Sequence, residues 1–471
     1  MNNIWGINMF KPQVYKKRRT ILSNHFKSGI LLFIGNDESQ ILVRDTVRKF
    51  RQNSTFLYYW GINEPNLAAL IDVDKNIEIL FGHDLTTNEI VWEGEQQKLI
   101  EKTKLINVNK TAEIYNLKNV LLNYRKGRRK IHYLPQHLSE NKIKISALLN
   151  IPFNKVNDNS SLQLIRAVIE QRSIKSKREV AEIEKALKIS RKLHLVAMRK
   201  SVPGKFEHEV VSEMEKVLID KTSRWAYLPI FTADGDRLHN HHYNNKMKQG
   251  QLIVNDAGAE SPKSFYSSDI TRTFPVSGKF TNQQKDIYNI VLKAQLTAIK
   301  ALKPGVKFLD VHLQSAKIIA SGLKKLGLMR GNIDDAVSTG AHALFFPHGL
   351  GHLLGLDVHD MEDLGEDYVG YTAEIKRSKQ FGTAYLRFAK ELQPGHVLTI
   401  EPGIYFIPQL IKQWQQQNQF TEFINYKLVN KYIGFGGIRI EDNILVTKNG
   451  CKVLGKPIPK TVAEIEAIMS I

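Results

Sequence analysis

The chain has 471 residues, 42 % hydrophobic and 24 % charged, with one cysteine, Cys451, and a net charge of +20. Such a length suggests two or three domains with sizeable cores, and a lone cysteine excludes an intrachain disulfide and any thiolate cluster, in keeping with a reducing cytoplasm. No run approaches the roughly 18–20 apolar residues of a membrane span, and the positive charge is spread along the chain with only one basic run, "RKGRRK" (125–130), so it reads as solvated surface rather than a nucleic-acid site.

In "MNNIWGINMFKPQVYKKRRT" the basic residues follow a short, broken apolar part. A secretory signal needs the reverse order, so none is expected. "GILLFIG" (29–35), "LAALIDVD" (67–74) and "IEILFG" (77–82) predict strands, with helical stretches between and after them. Trp92, in "NEIVWEG", reads as a strand residue. The polar "NKVNDNS" (154–160) marks a boundary, giving an α/β domain over 1–160 and a second domain over 161–471.

Helices open the second domain. Ser176 and Glu179 form a capping box, followed by Val180, Ile183 and Leu187 at helical spacing. The next helix follows Pro203-Gly204 and should bury Val210, Met214 and Val217. A third begins at Thr281, with Gln284 closing its box and Ile287, Ile290 and Val291 turned inward. "QLIVNDAGAE" (251–260), "DITRTF" (269–274), "HVLTIEPGIYF" (396–406) and "FGGIRIEDNILVT" (435–447) predict strands of one sheet flanked by helices.

Those strands carry the unusual residues. Alternation puts Arg439 and Glu441 on the face opposite Ile438 and Ile440, and Thr399 with Glu401 opposite Leu398 and Ile400. Asp256 ends an apolar strand and Asp269 opens another. Each alone reads as a cap or surface ion pair. Four carboxylates on buried-looking strands need cations or hydrogen bonds. "FFPHGLGHLLGLDVHD" (345–360) adds His348, His352 and His359. Oxygen-rich ligation with one imidazole suits Mn²⁺, Co²⁺ or Zn²⁺, and four negative charges suit two divalent ions better than one. The i, i+4 spacing of His348 and His352 does not make a zinc helix, because no H-E-x-x-H glutamate is present. Gly349 and Gly351 should leave backbone room for a close approach to the metals.

The ordered set "NDAGAE", "SSDITRTF", "PHGLGHLLGLDVHD", "TIEPGIYF" and "GGIRIEDNI" resembles the Xaa-Pro peptidases of the pita-bread metallopeptidase family, aminopeptidase P and prolidase among them. "FRQNSTFLYYWGI" (50–62) resembles the family's smaller creatinase-like α/β N-terminal domain. The resemblance implies an α/β (α+β) protein with a pita-bread catalytic domain. It implies Asp256 on one ion, Asp269 and Glu441 bridging two, and His352 and Glu401 completing the second, with Mn²⁺ the leading metal and Co²⁺ or Zn²⁺ alternatives. Glu401 would also shuttle protons. His348 and His359 would be hydrogen-bond and proton partners, and His242 a further active-site histidine, with His239 and His241 bystanders. Arg439 would orient the carboxylates. Trp92 would reach a substrate site, often of a neighbouring subunit, in a dimeric or tetrameric homo-oligomer.

One departure is the "SPKS" segment between Asp256 and Asp269, longer than in many relatives by about two residues. The odd separation keeps both aspartates on one face, but the loop could alter the site's rim. The implied activity is hydrolysis of an Xaa-Pro bond in a di- or oligopeptide. Arg387, in "AYLRFAKELQPG", reads as a helix surface charge or, by resemblance, as a clamp for a dipeptide carboxylate. With the long interval between Glu401 and Glu441, it tilts the reading toward a dipeptidase (prolidase) over an aminopeptidase. A non-catalytic binding protein on this fold would be expected to lack ligands. Methionine aminopeptidase is disfavoured by the N-terminal domain, and creatinase by the full ligand set.

Overall fold

The computed structural model describes residues 10–42 and 46–470. Most of the apolar N-terminal stretch, residues 1–9, lies outside them. The described chain forms two compact units, one of residues up to 172 with 361–368, the other of residues 173–360 with 369–471. No helix among the described residues is long and apolar enough to cross a membrane.

The first unit holds one five-stranded mixed sheet. Its strands are β1 (Ile30–Ile34), β2 (Ala68–Asp72), β3 (Ile77–Gly82), β4 (Lys110–Glu113) and β5 (Ile131–His132), in the order β4-β3-β2-β1-β5. β1, β2 and β3 pair antiparallel, while β4 and β5 add in parallel at the two edges. The central apolar runs follow from burial on both faces. Ile30, Leu32 and Ile34 join a core with Leu70, Phe81, Leu121 and Ile145. Phe33 points the other way, against Tyr59 and Trp60.

Trp92 corrects the strand expectation. "NEIVWEG" is helical over Thr87–Glu93, started by a capping box between Thr86 and Glu89 and ended at Gly94 with φ of 76°. The box is present in the sequence and outranks the apolar pair that suggested a strand. Trp92 is 86 % exposed on this helix.

In the second unit the capping boxes at Ser176 and Thr281 open helices Lys177–Lys200 and Asn282–Ala301 as expected. Two inward positions shift. In helix Glu207–Asp220 it is Leu218, not Val217, that joins Val210 and Met214 in full burial. Ile290 is half-buried, packed where Gly322 of helix Phe308–Lys325 leaves room for it.

The single expected sheet is instead three small ones. β6 (Ile230–Thr232), β7 (Leu252–Asp256) and β8 (Thr271–Pro275) form the first. "HVLTIEPGIYF" splits into β9 (Val397–Ile400) and β10 (Gly403–Tyr405), and "FGGIRIEDNILVT" into β11 (Gly437–Arg439) and β12 (Asp442–Val446). β9 pairs with β12, which also pairs with β13 (Cys451–Val453), and β10 pairs with β11. The break falls at Glu401-Pro402 opposite Ile440-Glu441. Pro402 has no N–H for a ladder. The Glu441 N–H turns away to the carbonyl of Thr271, 3.1 Å off, on β8.

Arg272 locks this junction. It is 1 % exposed and donates to the carbonyls of Thr271 (2.9 Å) and Glu441 (2.6 Å) and to Asp442 Oδ1 (2.7 Å). Burial favours protonation of Asp442, but Arg272 and Lys460 outweigh it and hold that carboxyl down at about 2. Arg272→Ala leaves a buried carboxylate with Lys460 as its remaining cation, and should lower unfolding stability by about 3–5 kcal/mol. Urea denaturation measures this, and a loss below about 1 kcal/mol would show that Arg272 does not hold the junction.

Candidate metal centre and substrate cavity

Each acidic side chain stands where a strand ends or breaks. Asp256 is the last residue of β7, Asp269 lies two before β8, and Glu401 and Glu441 occupy the paired breaks. A backbone released from its ladder lets these side chains converge. With His348, His352, His359, Arg387 and Arg439 they line one cavity of about 540 Å³, a size suited to a small peptide.

Asp269, His352 and Glu441 are all buried and offer ligand atoms within 4.8 Å of one another. His352 Nε2 is 3.3 Å from Asp269 Oδ2 and 3.5 Å from Glu401 Oε1. Its Nδ1 lies 3.1 Å from the Leu353 carbonyl, to which it donates, and this turns Nε2 toward the carboxylates, where it donates to Asp269 when protonated and offers a lone pair to a cation when not. Asn443 accepts from the Asp269 N–H at 3.1 Å, and Thr271 donates to Glu441 Oε2 at 2.8 Å. The second oxygen, Glu441 Oε1, is buried with no hydrogen-bond partner among the described residues. A carboxylate oxygen buried this way calls for a cation or a proton.

The electrostatics agree. Burial, then repulsion from Asp269, Glu401 and Asp256, pushes the Glu441 carboxyl well above its usual range. Burial also raises Asp256, with Arg439 opposing, and raises Glu401 to about 7 against the pull of His352 and Arg439. Burial works against charging His352, yet its Asp269 hydrogen bond and the Glu401 charge raise it overall. The donor set therefore fits divalent cations, with oxygen ligands, one imidazole and too little positive charge of its own.

Arg439 leads a second chain of contacts. It donates to Asp256 Oδ2 at 2.6 Å and to the Tyr405 hydroxyl at 2.8 Å. That hydroxyl lies 3.0 Å from His348 Nε2, while His348 Nδ1 is 2.8 Å from the Gly349 carbonyl. Burial, reinforced by Arg439, lowers His348 to about 3 and keeps it neutral. The Tyr227 hydroxyl bonds to both Asp256 and Asp269. The ring of His359 meets that of His352 edge-on, with centroids 4.4 Å apart.

Some of the remaining expected residues reach the cavity wall and others do not. All three loop histidines are exposed; His239 and His241, expected as bystanders, line the cavity, and His242 is not among its lining residues. Burial lowers His239, with Arg439 reinforcing it, and Asp256, His241 and Arg387 also act on it. Three histidines within four residues of an irregular loop carry no periodicity to separate them. Arg387 is not on a helix but follows the short turn Thr383–Tyr385 and lines the cavity. Gly349 and Gly351 make room for backbone rather than for ions. A Cβ at Gly349 would meet Leu386 Cα at 2.7 Å, and one at Gly351 the Thr399 carbonyl at 2.1 Å. The loop carrying "SPKS" is not on the cavity wall. It packs on helix Lys177–Lys200 through Ser261–Glu182 (3.0 Å) and Tyr266–Glu179 (2.7 Å). Trp92 lies on its exposed helix of the first unit and is not a lining residue. Tyr227 and Tyr405 were missed because a tyrosine on or before an apolar strand reads as core, and Tyr405 is 1 % exposed.

Residues 181–448 match the model of metallopeptidase family M24, and residues 15–132 match the aminopeptidase P N-terminal domain. The chain is 32 % identical to human Xaa-Pro dipeptidase over 458 residues, covering 94 % of this chain and 89 % of that one. It is 30 % identical to Xaa-Pro aminopeptidase of Escherichia coli over 474 residues, covering 97 % of each. Among solved structures, Pseudomonas aeruginosa aminopeptidase PepP superposes with a TM-score of 0.80 at 28 % identity, covering 98 % of both chains. Zinc-substituted Escherichia coli aminopeptidase P in complex with product gives 0.79 at 28 %, with the same coverage. The chain belongs to metallopeptidase family M24, an enzyme with a pita-bread catalytic domain behind an N-terminal domain of the aminopeptidase P type.

Proposed function

We propose that this chain is an Xaa-Pro exopeptidase working with two divalent ions, Mn²⁺ first among them. The observation that carries the proposal is the orphaned Glu441 Oε1 inside a cluster of buried carboxylates short of positive charge. Asp256, Asp269, His352, Glu401 and Glu441 would hold the ions, with Asp269 and Glu441 shared. When bound, such ions acidify water and polarise a carbonyl oxygen. Glu401, raised to about 7 by burial, would carry a proton toward the leaving nitrogen. Neutral His348, fixed through Tyr405 and Arg439, and His359 beside His352 would orient the scissile carbonyl. His239 takes the role that the resemblance gave to His242. Trp92 would contribute across a subunit interface of a dimer or tetramer, which its exposure on the helix permits.

Dipeptides are the preferred substrate in this reading. Arg387 on the cavity wall can hold a free carboxylate next to proline by two parallel hydrogen bonds. The aminopeptidase reading is favoured by the aminopeptidase P neighbours that cover nearly the whole chain. Product analysis on an Xaa-Pro dipeptide and a C-terminally extended Xaa-Pro peptide, with Mn²⁺-loaded protein, separates the two. Arg387→Ala should raise KM for the dipeptide by on the order of 10-fold or more and leave the longer peptide nearly unaffected. Equal effects on both substrates would remove the clamp.

Cation binding should depend on pH in a fixed direction. The raised folded-state carboxyls keep protons that the unfolded chain has already lost, so metal-free stability falls as pH rises from the ordinary carboxyl range through about 7. Cations displace those protons. The gain in Tm on adding Mn²⁺ to chelator-treated protein should therefore be larger at about pH 7.5 than at about pH 5.5. Full hydrolytic activity after chelation, or a Tm gain independent of pH, would exclude the proposed centre.

His239→Ala should lower kcat by on the order of 10-fold or more, while His242→Ala stays near normal. The opposite ranking would restore the family-derived assignment to His242.

A further inference from the structure

Lys175 and Asp360 form an ion pair at 2.6 Å whose two side chains are each 1 % exposed. Lys175 lies in the break between helices Leu162–Ser173 and Lys177–Lys200, and Asp360 directly follows His359. We propose that this pair is a positioning device that fixes His359 in the active site, an inference that rests on the role given to His359 above.

The Asp360 carboxylate organises the turn that carries His359. The Asp360 N–H donates to the Leu353 carbonyl at 2.9 Å, closing residues 353–360 into a loop. Inside it, the Gly355 N–H donates to Asp357 at 3.0 Å, and the Asp357 N–H reaches Asp360 Oδ1 at 3.4 Å. The backbone wraps so tightly that a Cβ on Gly355 would fall 2.4 Å from Asp360 Oδ2. The turn is thus built around one carboxylate. The other end of the pair is equally fixed. The Lys175 N–H donates to the Gly395 carbonyl at 2.8 Å, and the Gly395 N–H donates to Val446 of β12 at 2.9 Å. Lys175 therefore ties the turn to the strand pair that bears Glu401 and Glu441 at its break.

A hydrophobic pair of similar volume would fill this space at lower desolvation cost. What an ammonium–carboxylate contact adds is direction. It holds the turn in one position, and the His359 ring in its edge-on contact with His352. Neither Lys175 nor Asp360 lines the cavity, so the pair reaches the site through the residues it positions, His359 first among them.

The test uses full-length, Mn²⁺-loaded enzyme and an Xaa-Pro dipeptide. Lys175→Met/Asp360→Asn removes both charges together and leaves neither unpaired. It should keep its metal content and hold KM within about 3-fold, yet lose on the order of 10²-fold in kcat, the cost of a misplaced catalytic group. Adding the double change to His359→Ala should cost no more than about 2-fold further, because the losses share one route. Asp360→Glu, which keeps the charge on a longer arm, should show a smaller kcat loss of the same kind and serves if the double variant does not fold. In ¹⁵N-histidine spectra of the Zn²⁺-loaded protein, which is diamagnetic, the His359 resonance, identified by its loss in His359→Ala, should shift in these variants. Near-normal kcat with an unshifted resonance, or losses that multiply in the His359→Ala background, would overturn the inference. If the unaltered protein fails to cleave Xaa-Pro bonds, the functional reading fails, while the His359 resonance still decides whether the pair positions the ring.

Discussion

Four carboxylates and two guanidinium-linked hydrogen bonds define the central constraint. Asp256, Asp269, Glu401 and Glu441 converge at one cavity, where the Arg439 guanidinium donates to the Asp256 carboxylate. Burial favours the protonated form of carboxyls packed this closely, and it raises Asp256, Glu401 and Glu441. A protonated cluster would waste the geometry, since Glu441 Oε1 still has no partner. Divalent cations would meet both needs at once, supplying charge to the cluster and a partner to the Glu441 oxygen that the protein leaves without a hydrogen bond.

The backbone is arranged to serve that cluster. Two long apolar segments pair with each other twice, β9 with β12 and β10 with β11, and between these ladders are joined by a long 3.4 Å hydrogen bond from the Ile440 N–H to the Pro402 carbonyl. Into this gap β8 brings its Thr271 carbonyl, which takes the N–H of Glu441, and its Thr271 hydroxyl, which takes a Glu441 oxygen. Thr273 makes a matching exchange with the backbone of Arg439, accepting at 3.1 Å and donating at 3.0 Å. The break is therefore hydrogen-bonded to a third strand rather than lost. Buried Arg272 closes the same junction from the other side of β8.

How far the sequence could be read follows from these features. Strands buried on both faces announce themselves as apolar runs, and capping boxes at Ser176 and Thr281 fix helix starts locally. The acidic residues were legible because charge on an apolar strand is costly enough to demand a reason. The splitting of the expected sheet depended on Pro402, whose missing N–H is visible in the sequence, and on Thr271, whose approach is not. The choice among His239, His241 and His242 turned on loop geometry that neither spacing nor resemblance resolves. At Trp92 two signals competed, and the capping box at Thr86 decided for helix.

The wall that carries Arg387 links the long interval between Glu401 and Glu441 to the cavity. That interval contains helix Pro408–Gln416. Its Trp414 meets Phe381 edge-on at 5.9 Å, and Phe381 meets Tyr385 in the same way at 5.9 Å. Tyr385 and Arg387 both line the cavity. On the other side Arg377 stacks on Tyr371 at 4.6 Å and donates to the carbonyls of Ala384 and Leu386, which flank Tyr385. The backbone just before Arg387 is thus held from two directions, by an aromatic ladder rooted in the insert and by a guanidinium bridge. Two sequence features that pointed separately toward a dipeptidase are therefore one structural feature. The insert supports the wall, and the wall presents the arginine. Substrate length would then be set by packing remote from the carboxylate cluster.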